Sequence, residues 1–145
     1  MVFLWTKLKA ERLSMKEQTE KWLAYADDNL QSAKLLFENQ LFNPCLQNVQ
    51  QAVEKMLKAV LIEYGIKIKK THSINALVMI LTEHGQKVDI SEDERDLLDS
   101  IYIPSKYPIG GVLPDFEPDI QTCRKCIEIA ESFRENVIHL ISQVN

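Results

Sequence analysis

Apolar residues recur along this chain at i, i+3, i+4 and i+7 in five separated segments, the spacing that one buried helix face requires. The clearest run is Cys45, Leu46, Val49, Ala52, Val53, Met56, Leu57, Val60, Leu61 and Tyr64. Asn43-Pro44 sets its start as an N-cap followed by proline at the first helical position, and Gly65 sets its end. An earlier helix is predicted over residues 16–39, with Trp22, Ala26, Leu30, Ala33 and Phe37 on one stripe. Thr71-His72-Ser73 opens a third helix carrying Ile74, Leu77, Val78 and Leu81, closed by Gly85. Ser91-Glu92-Asp93-Glu94 forms a capping box at the head of a fourth, which runs through Leu97, Leu98 and Ile101 to Pro104. The last helix covers residues 119–143, with Ile120, Cys123, Ile127, Ala130, Phe133, Val137 and Ile141 as its stripe. No strand is predicted. The fold class is all-α: an up-and-down bundle of four long helices, with the short fourth-position helix and its loop as a cap.

The polar side of the second helix is the part of this pattern that suggests chemistry. Gln51, Glu54, Lys55 and Lys58 share the helical spacing on a face away from the core stripe, so amide, carboxylate and ammonium groups stand side by side. A solvated face with an i, i+4 charge pair is the plain reading of such a set. The irregular stretch from Pro104 to Pro118 is the second informative feature, because loops of that length in a small domain are usually functional or disordered. Tyr102 stands at its entrance, and Lys106 and Tyr107 lie within it.

With 145 residues, 46% apolar content and four glycines, the chain has the length for a single core and no room for a second domain. Residues 16–145 form that domain. Residues 1–15 lack the helical periodicity of residues 16–39 and read either as an artefactual start ahead of Met15 or as a short docking arm. A net charge of −4 argues against a broad nucleic-acid footprint, which needs a basic stripe to displace counterions. Lys67, Lys69 and Lys70 are the one dense basic run, and they suit a solvated loop beside a helix C-terminus. Three cysteines, with no apolar run long enough for a signal peptide or a membrane span, fit a reducing compartment and predict a cytoplasmic protein. Trp22, Phe37 and Phe133 add more apolar helix surface than four helices readily cover, which predicts a homodimer.

Three stretches in order resemble the HEPN domain family, over roughly Glu17 to Ser142. Trp22-Leu23-Ala24-Tyr25-Ala26-Asp27-Asp28-Asn29-Leu30-Gln31-Ser32-Ala33 is similar to the family's opening helix. Gln50-Gln51-Ala52-Val53-Glu54-Lys55-Met56-Leu57-Lys58-Ala59, followed by Thr71-His72, is the most specific piece. Tyr102-Ile103-Pro104-Ser105-Lys106-Tyr107-Pro108 looks like the family's Tyr…Arg-Tyr-Pro loop, with Lys106 where Arg is usual. Lysine keeps the charge but lacks the planar five-donor fork that grips phosphate bidentately. The resemblance implies a nucleotide- or RNA-phosphate-binding protein that works with a separately encoded minimal nucleotidyltransferase. Its candidate ligand-binding set is Gln51, Lys55, Lys58, His72, Tyr102, Lys106 and Tyr107. Lysines and the N-terminus of the third helix suit phosphate, and tyrosines can stack on a base.

Arg134 and His139 fit the R-x4-H spacing that is the catalytic pair of the family's ribonucleases, where His moves a proton and Arg steadies the phosphorane charge. Five residues along a helix is a rotation of about 140°, so the two side chains diverge from any shared phosphate. A toxin-like ribonuclease is therefore the alternative reading, and a ligand-free interaction module the third. Cys123-Arg124-Lys125-Cys126 has no second ligand pair for zinc and no strand before it for a redox site, so its cysteines are expected to pack in the core. Asp27 and Asp28 are adjacent and point to different faces. No cofactor and no metal is implied.

Overall fold

The helix from Phe42 to Glu63 packs against every other helix of the chain, and the architecture is arranged around it. The computed structural model describes the backbone of residues 2–68, 70–106 and 118–144, and the side chains of residues 16–68, 70–102 and 118–144. The helices are α1 (Val2–Glu38), α2 (Phe42–Glu63), α3 (Ile74–Glu83), α4 (Glu92–Lys106) and α5 (Ile120–Ser142), with no strand among the described residues. The expected all-α bundle is the observed one. A three-residue turn joins α1 to α2, which makes them an antiparallel pair with the largest interface in the fold. Twelve of the 22 residues of α2 are buried, among them every apolar position of its stripe except Tyr64. Ala26, Leu30 and Ala33 close the core from α1, Leu98 and Ile101 from α4, and Phe133 and Val137 from α5. Tyr64 is half-buried, and its hydroxyl donates to the Leu140 carbonyl at 2.9 Å, tying α2 to α5.

Some expectations are corrected here. Phe133 is fully buried, so it contributes nothing to a surface for a second copy. Phe37 is half-buried, tilted against Phe42 with the Arg124 guanidinium over its ring. Helix α1 begins at Val2 rather than near residue 16, because helix can continue outward without an apolar stripe to bury. Asn43 does not cap α2: the helix starts at Phe42, the cap position is Leu41, and no side chain caps it. Helix α4 runs past its expected end at Pro104 to Lys106, so Lys106, expected within the loop, is helical.

Helix ends explain where the chain turns. Three C-termini share one geometry, in which the residue three past the helix returns a hydrogen bond to the carbonyl of its third-last residue. Leu41 bonds to Leu36, Ile66 to Leu61 and Gln86 to Leu81, each at 2.9 Å. The residue between must take positive φ, and Gly65 (69°) and Gly85 (79°) do so without steric cost. Gln40 adopts 60° in the first turn, where only the motif holds a residue with a Cβ in the left-handed region.

The start of α3 is fastened from α4. Asp99 accepts the backbone N–H of Ile74 at 2.6 Å and of Asn75 at 3.1 Å, and also the Ser73 hydroxyl and the Asn75 amide. Ser73 is the N-cap, accepting from the Ala76 N–H at 3.1 Å. The Ser91–Glu94 capping box forms as expected, with reciprocal bonds of 2.9 and 3.2 Å. Asp99→Ala orphans the first two donors of α3 and removes one of the partners of Ser73 and of Asn75, so stability falls by about 1–3 kcal/mol. Urea unfolding checks this as a lower midpoint at unchanged slope, with Asp99→Asn retaining part of the loss.

Candidate functional site

Because α2 is surrounded, its polar residues at one edge are drawn inside. Glu54 is only 2% exposed and Gln50 1%, where a charged or amide group must find partners. The expectation that Glu54 belongs to a solvated face is therefore corrected. Its Oε1 accepts from His72 Nδ1 at 2.7 Å and from Lys58 Nζ at 3.4 Å. The i, i+4 ion pair is thus present, but as a covered one, with the Lys58 side chain 15% exposed. Gln50 donates to the His72 carbonyl at 3.3 Å and accepts from Gln51 at 2.9 Å. His72 itself is exposed, and its ring stacks on Tyr102 of α4, with centroids 4.9 Å apart and planes 15° from parallel.

A second row continues along α1. Lys58 Nζ lies 5.6 Å from the centre of the Trp22 ring, and Lys55 Nζ lies 5.9 Å from that of Tyr25. Lys55 also donates to the Asn29 side-chain oxygen at 2.5 Å. The Asn29 amide in turn donates to Asn48, whose own amide donates to the Pro44 carbonyl. Gln51, Lys55, Lys58, His72 and Tyr102 thus fall in one continuous polar band. The side chain of Lys106, and Tyr107, lie outside the described residues.

One expected phosphate donor is already committed. The N–H groups of Ile74 and Asn75 go to Asp99 and that of Ala76 to Ser73, so the α3 N-terminus offers little to a ligand. Lysines and His72 are what remains. Trp22 falls on the core stripe by its spacing, yet it lies at the edge under Lys58; Tyr25, Asn29, Asn48 and Gln50 join the band although none is in the candidate binding set. The spacing of Trp22, Tyr25 and Asn29 at i, i+3 and i+7 is the signal that would have found a second face on α1.

Arg134 and His139 serve different surfaces. The Arg134 fork holds Asp27 bidentately, Nε to Oδ1 at 2.5 Å and a terminal nitrogen to Oδ2 at 2.9 Å. That hydrogen bond raises the already high pKa of the guanidinium, which stays charged. The pair sits in a groove of about 470 Å³ between α1 and α5, with Lys34 and Glu131 further along it. His139 is exposed and lines a separate groove of about 430 Å³ with Lys87, Asp89 and Asn136. The divergence expected from helix rotation is the observed arrangement. Asp28 is exposed, and no group of three or more potential ligands for a metal ion occurs among the described residues.

The HEPN domain model matches residues 19–140. The chain belongs to the HEPN domain family. Its fold is similar to that of ST0689, an archaeal HEPN homologue, at 25% identity and a TM-score of 0.64, covering 85% of this chain and 97% of that one. It is also similar to TT1696 from Thermus thermophilus, at 23% identity and a TM-score of 0.67, covering 85% and 98%; this second likeness concerns the fold. No curated protein matches the chain. No described helix is long and apolar enough to cross a membrane.

In this HEPN domain the cysteines are core residues. Cys45, Cys123 and Cys126 are free and fully buried, and Cys123 Sγ donates to the Phe42 carbonyl at 3.7 Å. Burial pushes the Cys45 thiol up to about 11 and those of Cys123 and Cys126 up to about 12. Since the thiolate is the reactive form, native protein at pH 8 should resist thiol labelling at all three positions, and denaturant should release them together. The same shift makes native stability fall as pH climbs above about 9, where the unfolded thiols ionise and the native ones do not. Fast labelling of any of the three in the native state would contradict the packing.

Proposed function

We propose that this HEPN protein binds a nucleotide or nucleic-acid phosphate without cleaving it, at the junction of α2, α3 and α4, as a homodimer that acts with a separately encoded minimal nucleotidyltransferase. The observation that carries the binding reading is the stacked His72–Tyr102 pair fixed beside Lys58 by a buried Glu54. A polar ring system and ammonium groups held in place by a covered carboxylate are pre-organised, so little is lost in ordering them around a ligand. Lys55 adds an ammonium whose hydrogen-bond partner is a neutral amide, leaving its charge uncompensated by that contact. Family membership supports the ligand class and the partner. Separation of Arg134 and His139 into two grooves supports the non-catalytic part.

Calorimetry with ATP, other nucleotides and short RNA tests the site. Binding is expected at low salt and weakens as salt rises, because ammonium–phosphate attraction is screened. Lys55→Ala and Lys106→Ala each reduce affinity with the helical content unchanged, and Lys106→Arg preserves or tightens it by supplying the bidentate fork. No heat with any ligand at millimolar concentration would move the protein to the interaction-module reading. Light scattering should give twice the mass of one chain at micromolar concentration; a single-chain mass would remove the homodimer.

A further inference from the structure

The row formed by α1 and α2 beyond the His72 end has a shape and charge that the phosphate site alone does not use. Trp22 and Tyr25 stand one turn apart on α1, and Lys58 and Lys55 stand one turn apart on the antiparallel α2, giving two successive rungs of ring and ammonium. One helical turn separates the rungs by about 5 Å, within the reach of consecutive nucleotides of one strand. Tyr25 is 56% exposed, so most of its ring is not spent on the core. Lys55 is tethered from below by Asn29, and Asn29 by Asn48, which fixes the second rung in place.

We infer that this ridge, from His72 past Trp22 to Tyr25, is a track for a short single-stranded nucleic acid held by base stacking more than by phosphate charge. The inference rests on the phosphate-binding reading above and names its ligand class. Charge decides against a free polyphosphate: Lys58 is offset by Glu54, which leaves Lys55 as the ammonium with a neutral partner, enough for about one phosphodiester and too little for a triphosphate. Charge also decides against a duplex, which hides its base faces and demands a basic stripe that a chain of net charge −4 does not present here. The ring surface that the lysines leave uncovered, most of it on Tyr25, is a sequence-tolerant platform because every base has a π-face, and Lys55 over Tyr25 meets the backbone that links two stacked bases.

Fluorescence anisotropy with labelled six-nucleotide oligo(U) and oligo(dT), a hairpin duplex, and ATP as competitor tests the track. Single strands should bind more tightly than ATP or the duplex; the RNA and DNA arms report whether the ribose hydroxyl adds to stacking, and binding by either supports the track. Tyr25→Ala should weaken single-strand binding about fivefold or more, while Tyr25→Phe, which keeps the ring, restores it. Lys55→Gln should lower the dependence of log affinity on log salt by about 0.7, one single-strand phosphate contact. If ATP binds in a Lys55-dependent way while Tyr25→Ala leaves oligonucleotide affinity within twofold, the track is wrong and the phosphate site stands. Duplex binding as tight as single-strand binding also overturns the track. If neither oligonucleotide nor ATP binds, both readings fall together.

Discussion

A carboxylate buried at the edge of a central helix is the constraint on which the candidate site depends. Helix α2 is enclosed by four others, so the chain has few positions on it that reach solvent, and Glu54 is not one of them. An ionised group removed from water costs several kcal/mol unless it is paired and hydrogen-bonded. The fold meets that cost by bringing His72 and Lys58 to the same oxygen. His72 is held a second time, through its carbonyl, by buried Gln50. Placement of the imidazole is therefore a consequence of core packing, and Tyr102 acquires its stacking partner because α4 packs on α2. Every buried side-chain polar atom among the described residues has a partner, which is the condition for such a network to stabilise rather than weaken a bundle.

Asp99 shows the same logic at a helix end, with the opposite outcome for ligand binding. A bare N-terminus with a lysine-rich approach is an anion site, and the sequence around Thr71 invites that reading. A carboxylate from α4 occupies it instead, so the dipole of α3 is used to lock two helices together. What is left for an external phosphate is side-chain ammonium and imidazole, and these sit on the α1–α2 side of the junction. The chemistry of the site is shifted from backbone cradle to exposed side chains, a weaker and more salt-sensitive mode of recognition.

Helices and core were legible because a 3.6-residue period has no other way to be buried: the α2 stripe, the Gly65 and Gly85 stops and the Ser91 capping box all stand where the spacing puts them. Caps that depend on tertiary partners were not. Nothing in Asn43-Pro44 distinguishes a capping Asn from one already inside the first turn, and nothing near Ile74 announces an Asp some 25 residues away. Side-chain polarity misplaced Glu54, since a carboxylate reads as solvated until its neighbours are known. Trp22 erred in the other direction: an aromatic at the edge of an apolar stripe reads as core, whereas its ring carries an ammonium on its face. Gln51, Lys55, Lys58, His72 and Tyr102 were nevertheless brought together, because their spacing on α2 and their closeness to the α3 and α4 contacts with α2 constrain them jointly.

Ion pairs join α1 to α5 and cover the edge of α2, and they differ in what they control. Arg134–Asp27 and Lys34–Glu131 bridge α5 and α1 with side chains that are all more than two-fifths exposed. Such pairs contribute about 0–1 kcal/mol, so Asp27 by itself would not keep Arg134 from a phosphate that approached it. What keeps Arg134 and His139 apart is the helix. A rotation of about 140° between them is fixed by backbone hydrogen bonds along the whole of α5, and no rearrangement of side chains can cancel it. Electrostatic engagement is easily exchanged and helical phase is not, so within a single copy the argument against a cleavage pair rests on geometry, while the argument for a binding site rests on a carboxylate that the core cannot leave alone.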